Sequence, residues 1–404
     1  MAANNLLPPF FRPYYKNPLF VDRAKGTVIW DKNGTQYLDC YAGVATVALG
    51  HCNSQVDEAV TAQIRKFGHL SALYMSDILN EYLEALVGSC RPTFERAYLV
   101  NSGSESVDLA ISLARVTAGS MQLVALAEGY HGGTYLSKSA NGLKTWHFDS
   151  DQAPDIVHVT SPIGEVNARS CIAEAEGIFS KVNAQGGRPI FILEPVLGVG
   201  GIVKPPNVFF SSLNELIARY NGLLIVDEVQ TGFGRCGDSL FAYQKFGIKP
   251  DLMALGKGIA NGYPLGAVLM TDEVAQANQD LLHFSTFGGH PMSLAAAKTT
   301  LAIINKPEFL ATISQRGNKF RKLLQEKIGE LEGVRAIRGI GYMTGVEFDT
   351  EERAKAILNG CYEKKLLVGM GGRMKNVVRL QPALIFTDEE YEQVANILVE
   401  LLGR

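Results

Sequence analysis

Short apolar runs alternate with segments of helical period through the middle of the chain. Ala97–Val100, Leu123–Ala127, Ile190–Leu193, Leu223–Val226, Leu252–Leu255 and Ala267–Met270 are rich in Val, Leu, Ile or Ala at successive positions. Such runs predict strands apolar on both faces, buried between two layers. Between them, Glu105–Thr117 and Ser212–Tyr220 repeat their apolar residues at helical spacing. The alternation predicts an α/β fold with a mostly parallel sheet flanked by helices. Ligands in such folds sit beyond the carboxyl ends of the strands. Asn101, Glu128, Glu194 and Asp227 stand at such ends.

The pattern changes over the last hundred or so residues. A helix is expected from Pro291 to Ile304, a second over Leu310–Leu331 and a terminal one over Asp388–Leu402. Short strands are expected at Ala336–Arg338, Gly345–Phe348 and Val377–Gln381. This reads as a smaller α+β domain over 291–404, after a large domain over 51–290. Residues 1–50 form an arm and part of the small domain, with hairpin strands Gly26–Trp30 and Gln36–Leu38 around Lys32–Asn33–Gly34.

Composition narrows the function classes. The 404 residues are 47% hydrophobic and 20% charged, which suits a large packed core. The formal net charge of -3 gives no electrostatic footprint for nucleic acid or an anionic membrane. No apolar run approaches the length of a membrane span, and residues 1–20 lack the pattern of a secretory signal. Six scattered cysteines without a C-x-x-C pair suggest reduced thiols in a cytoplasmic protein. The seven histidines show no ligand spacing, so no metal is expected.

The candidate chemistry lies at strand ends and in glycine-rich turns, and each piece also has an ordinary structural reading. Ser102–Gly103–Ser104 opens a helix after a strand, where free N–H groups and the helix dipole favour a phosphate. Ser102 would equally serve as a plain N-cap. Tyr130–His131–Gly132–Gly133 follows another strand; Tyr130 is placed either to stack on a flat ring or to pack in a turn. Asp227 ends the most apolar strand, as a partner for a ring nitrogen or as a hydrogen-bonded structural acid, with Val229 and Gln230 just beyond. Lys257 sits between Gly256 and Gly258. Its amine suits Schiff-base chemistry, while the glycines also fit a surface loop. Thr286, in Ser285–Thr286–Phe287–Gly288–Gly289, is placed for a phosphate or for a helix start. Arg379, within Val377–Val378–Arg379–Leu380–Gln381–Pro382, suits a carboxylate or an edge strand facing solvent.

Together and in this order, these pieces resemble the class III, omega-type aminotransferases, which are pyridoxal-phosphate enzymes of fold type I. The run Val226–Asp227–Glu228–Val229–Gln230–Thr231–Gly232–Phe233–Gly234–Arg235 and its spacing to Lys257 carry most of the likeness. It extends from Ala24–Lys25–Gly26–Thr27 to Arg379–Leu380–Gln381–Pro382. The resemblance implies pyridoxal 5'-phosphate as cofactor, with Lys257 as the Schiff-base lysine and the carrier of the catalytic proton shift. Asp227 would pair with the ring nitrogen. Tyr130 and Val229 would cover the two ring faces, with His131 beside them. Gln230 would contact the ring hydroxyl oxygen. Ser102, Gly103 and Ser104 would hold the phosphate, joined by Thr286 from the other subunit of a homodimer. Arg379 would bind the substrate carboxylate.

One position departs from the ornithine and γ-aminobutyrate type. Val199, in Leu197–Gly198–Val199–Gly200–Gly201, stands where those relatives carry a glutamate that masks the arginine. The departure leans toward alanine–glyoxylate and other pyruvate-using members. The expected reaction moves an amino group between an amine or amino acid and a small 2-oxo acid, by a ping-pong route. A racemase or epimerase, or a phospho-lyase, of the same structural group is the alternative. A nucleotide-binding oxidoreductase is disfavoured because no G-x-G-x-x-G follows an early strand. A scaffold without activity is disfavoured by the intact Lys257, Asp227 and Gln230.

Overall fold

A computed structural model describes residues 8, 10, 14, 15 and 17–403. The expected apolar runs pair into one seven-stranded sheet. Its order is Arg96–Val100, Gly266–Met270, Leu252–Leu255, Leu223–Asp227, Ile190–Leu193, Leu123–Leu126 and Ile156–Val159. Only Gly266–Met270 runs antiparallel to its neighbours. The central strands Leu123–Leu126, Ile190–Leu193, Leu223–Asp227 and Leu252–Leu255 are buried at every position. Helices such as Gly103–Ala118 and Asn207–Arg219 cover the sheet with their buried apolar faces. The apolar patterning on both sides of each strand is thus explained by the two helix layers.

Two smaller sheets carry the rest of the site. Val334–Ile340, Met343–Phe348, Val377–Leu380 and Gly369–Gly371 form an antiparallel sheet. In it Arg379 pairs with Gly345 on one side and Gly369 on the other. Val21–Lys25, Val28–Asp31 and Gln36–Asp39 form a meander, to which Leu366–Leu367 adds a parallel strand.

Several element limits differ from the sequence reading. The first hairpin strand is Val28–Asp31 rather than Gly26–Trp30, because Gly26 takes a left-handed turn at φ 59°. Helices begin earlier than expected, at Gly103, Asn207 and Pro307. The helix expected to reach Leu331 ends at Ile328. The polar edge strand Val21–Lys25 and the outer strand Ile156–Val159 were not foreseen. No helix among the described residues is long and apolar enough to cross a membrane.

Candidate active site

At the carboxyl edge of the large sheet, twelve residues enclose a nest of about 190 Å³. They include Ser102, Gly103, Ser104, Tyr130, His131, Asp227, Val229, Gln230 and Lys257, nine of the residues singled out in the sequence. A larger cavity of about 630 Å³ opens beside it and shares Tyr130, Val199, Gln230 and Lys257 with the nest. Arg379 lines this larger cavity. Thr286 is exposed and lines neither space.

The nest floor is the N-terminus of the sixteen-residue helix Gly103–Ala118. Ser102 is its N-cap, with Oγ accepting from Glu105 N at 3.2 Å, so this hydroxyl does the ordinary capping task. The next residue must be small: a Cβ on Gly103 would stand 2.7 Å from Val229 Cγ1. Ser104 Oγ accepts from Gly133 N at 3.1 Å, which joins the helix start to the turn after Leu123–Leu126. The helix dipole and glycine-lined backbone make this end suited to an anion.

Asp227 is buried at the end of its strand, and two bonds fix its carboxylate. Oδ1 accepts from Val229 N at 3.0 Å, and Oδ2 pairs with His131 Nδ1 at 2.7 Å. His131 is fully enclosed, and Asn141 Oδ1 accepts from its backbone N–H at 2.6 Å. Its ring is thus set against the Asp227 carboxylate. Glu194, noted in the sequence only as a strand-end acid, proves to be a third member of this buried set. Its carboxylate accepts from Tyr130 N at 2.9 Å and Gly198 N at 3.0 Å, holding the aromatic residue and the following loop. Burial pushes the Glu194 carboxyl up to about 7.

Lys257 is half-buried, and its backbone stands at φ 45°, a left-handed conformation unusual for lysine. Such a residue costs of the order of 1–3 kcal/mol and persists only where its surroundings impose it. Burial lowers the amine's pKa, opposed by the nearby carboxylates of Asp227 and Glu194. Facing it, Gln230 Oε1 is buried without a protein partner.

Arg379 is buried on the inner strand Val377–Leu380, not on an edge facing solvent. It is not without partners: Nε donates to Met370 O at 3.1 Å, and Nη2 donates to Tyr41 Oη. Nη1 is buried and unpartnered. Among the described residues a phenol, and no acid, is thus the arginine's side-chain partner. Tyr41 fits there because Arg379's strand neighbour is bare: a Cβ on Gly369 would lie 2.1 Å from the Tyr41 ring. Asp39 Oδ1 accepts from Tyr41 N at 3.0 Å and its Oδ2 meets His51 Nε2 at 2.9 Å, which sets the tyrosine's backbone. The separation of 338 positions between Tyr41 and Arg379 hid this pair from sequence reading.

Val199 is held through its main chain. Gly372 N donates to Val199 O at 2.8 Å, joining the loop after Ile190–Leu193 to the hairpin beside Arg379. Arg235, the last residue of the Val226–Arg235 run, donates from Nη1 to Pro382 O and ties the loop after Leu223–Asp227 to the segment that follows Val377–Leu380.

These features fit pyridoxal 5'-phosphate: a helix start for its phosphate, a half-buried amine for its aldehyde and a buried carboxylate for its ring nitrogen. The open amide oxygen of Gln230 leaves a polar group for the ring edge.

Comparison with known proteins agrees. The family model described as Aminotransferase class-III matches residues 11–402. The acetylornithine aminotransferase of Methanothermobacter thermautotrophicus is 34% identical over 391 residues, covering 96% of this chain and 95% of its own. A mitochondrial alanine–glyoxylate aminotransferase 2 homologue of Arabidopsis thaliana is 31% identical over 98% of this chain and 84% of its own. Among solved structures, a PLP-bound amine transaminase from an uncultivated Pseudomonas species matches at TM-score 0.91 and 25% identity, covering 100% and 99% of the two chains. An Arthrobacter phospholyase in complex with phosphoethanolamine matches at TM-score 0.90 and 28% identity, over 98% and 97%.

Proposed function

The chain belongs to the class III aminotransferase family, and from that premise we propose that it moves an amino group between an amine or amino acid and a small 2-oxo acid, pyruvate or glyoxylate, by a ping-pong route. The observation that carries the choice of acceptor is Arg379, whose free Nη1 and phenolic neighbour leave a full positive charge for a carboxylate. Val199 adds no acid to neutralise it.

Pyridoxal 5'-phosphate, the cofactor of this family, supplies the aldehyde and the electron-withdrawing ring. The residues divide the remaining tasks. Lys257 holds the cofactor covalently and, with its amine pKa lowered by burial, is suited to carry a proton between the reacting carbons. Asp227 keeps the ring nitrogen protonated, and His131 and the Val229 N–H keep Asp227 aimed. Tyr130 and Val229, which line the nest, would cover the two faces of the ring, and Gln230 would meet its oxygen. Gly103 and Ser104, at the helix start behind the Ser102 cap, receive the phosphate.

The same reading makes the protein a homodimer, with Thr286 of a second copy completing the phosphate site. In support, Thr286 is exposed, and Leu282, Phe284 and Phe287 beside it leave large apolar side chains exposed. Six unpaired cysteines, five of them buried, support a reducing compartment such as the cytoplasm.

The test is spectroscopic. Protein loaded with pyridoxal phosphate should show the absorbance of a lysine-bound cofactor, lose it with an amino donor and regain it with pyruvate or glyoxylate. A Lys257→Ala protein that binds the cofactor yet keeps this absorbance would refute the assignment. A phospho-lyase or racemase would use the same nest. Release of ammonia and phosphate from one substrate, or loss of chirality without an oxo acid, would replace the transamination reading.

A further inference from the structure

The larger cavity carries information about the donor that the cofactor nest does not. At about 630 Å³ it lies within the range of pockets for drug-sized ligands, and a three-carbon oxo acid fills little of it. Aromatic rings form much of its wall. Tyr14 stacks on Tyr41 with centroids 6.1 Å apart and planes at 20°. Trp146 meets Tyr130 edge-on at 5.0 Å. Met370 and Leu367 add apolar surface.

This wall begins at the carboxylate anchor. Met370 N donates to Tyr14 Oη at 2.6 Å, and Met370 O accepts from Arg379 Nε at 3.1 Å. One residue therefore sets both the ring and the guanidinium. A substrate whose carboxylate meets Arg379 has its remaining bulk directed along these rings.

Charge on the wall is sparse and already committed. Among the described residues its one carboxylate, Asp39, is engaged by His51 and by the backbone N–H groups of Tyr41 and Ala42. Of the cations among its described residues, Lys257 is assigned to the cofactor, which leaves Arg379 for an anionic group. A second ammonium or carboxylate on the substrate would lose water to rings and methyl groups without finding a partner. An aryl or branched apolar group would stack there.

Resting on the transaminase reading, we propose that the amino donor is an amino acid with an aromatic or bulky apolar side group, its carboxylate on Arg379, and that Trp146 and Tyr14 determine this specificity.

The experiment uses the cofactor-loaded enzyme with glyoxylate as acceptor. It compares phenylalanine and 3-amino-3-phenylpropanoate with ornithine, N-acetylornithine and glutamate. The better aryl donor should exceed each of the other three in kcat/KM by about tenfold or more. As a readout independent of turnover, 3-phenylpropanoate should bind the loaded enzyme about tenfold more tightly than propanoate, measured by calorimetry. Trp146→Ala should narrow both ratios. A loaded enzyme that shows the lysine-bound absorbance but prefers ornithine, N-acetylornithine or glutamate overturns the inference alone. Ratios unchanged in Trp146→Ala overturn the assignment of Trp146. Absence of the lysine-bound absorbance overturns the transaminase reading beneath both.

Discussion

Replacing Asp227 by asparagine tests the charge at the centre of the site while leaving its geometry nearly intact. The asparagine Oδ1 can still accept from Val229 N, where the carboxylate now accepts at 3.0 Å. Its Nδ2 can turn toward His131 Nδ1, now 2.7 Å from the carboxylate. The side chain is buried, so water cannot replace the lost charge. A hydrogen-bonded unit pair about 3 Å apart at an effective dielectric near 20 is worth about 5 kcal/mol. The neutral amide recovers about 1 kcal/mol as an ordinary hydrogen bond. The remaining loss of about 4 kcal/mol corresponds to about a thousandfold in rate. Stopped-flow loss of the lysine-bound absorbance with a saturating donor measures that half-reaction directly. Circular dichroism and the thermal midpoint should stay close to the unsubstituted protein's. A correctly folded, cofactor-loaded Asp227→Asn enzyme within about tenfold of the unsubstituted rate would refute the reasoning.

Two further outcomes are expected. Val199→Glu places an acid beside Arg379 and should raise KM for pyruvate or glyoxylate by about tenfold with a smaller effect on kcat, as steady-state kinetics will show. Glu194 gives a pH signature in the cofactor-free protein. Its folded pKa of about 7 lies above the unfolded value of 4.5, so the folded state binds the proton more tightly. Its contribution to stability should therefore fall as pH rises from 4.5 toward 7, by up to about 3 kcal/mol. Urea midpoints across that window should decline less in Glu194→Gln than in the unsubstituted protein, and equal slopes would exclude Glu194 as the source.

The central sheet was legible because its strands are buried on both faces, a pattern that one-dimensional reading detects. Val21–Lys25 was not, since its residues are mostly exposed and polar, and its pairing with Val28–Asp31 supplies what its composition does not. At the site, residue types at strand ends pointed to Asp227, Lys257 and Arg379. Their partners did not announce themselves. His131 meets Asp227 across 96 positions, and Tyr41 meets Arg379 across 338. Glu194 carried only a positional hint, because its two bonds go to backbone N–H groups that any residue type supplies. Trp146 gave no signal, standing in a short turn without periodicity.

The main-chain bond from Gly372 to Val199 has an evolutionary corollary. The link between the cofactor loop and the hairpin beside Arg379 uses only the carbonyl of residue 199, which every amino acid possesses. The side chain at this position is thereby released from architectural duty. Descendants can exchange a methyl-bearing residue for an acid, and back, without redrawing the joint between the sheets. Position 199 is a place where such a scaffold can change its diet by single substitutions.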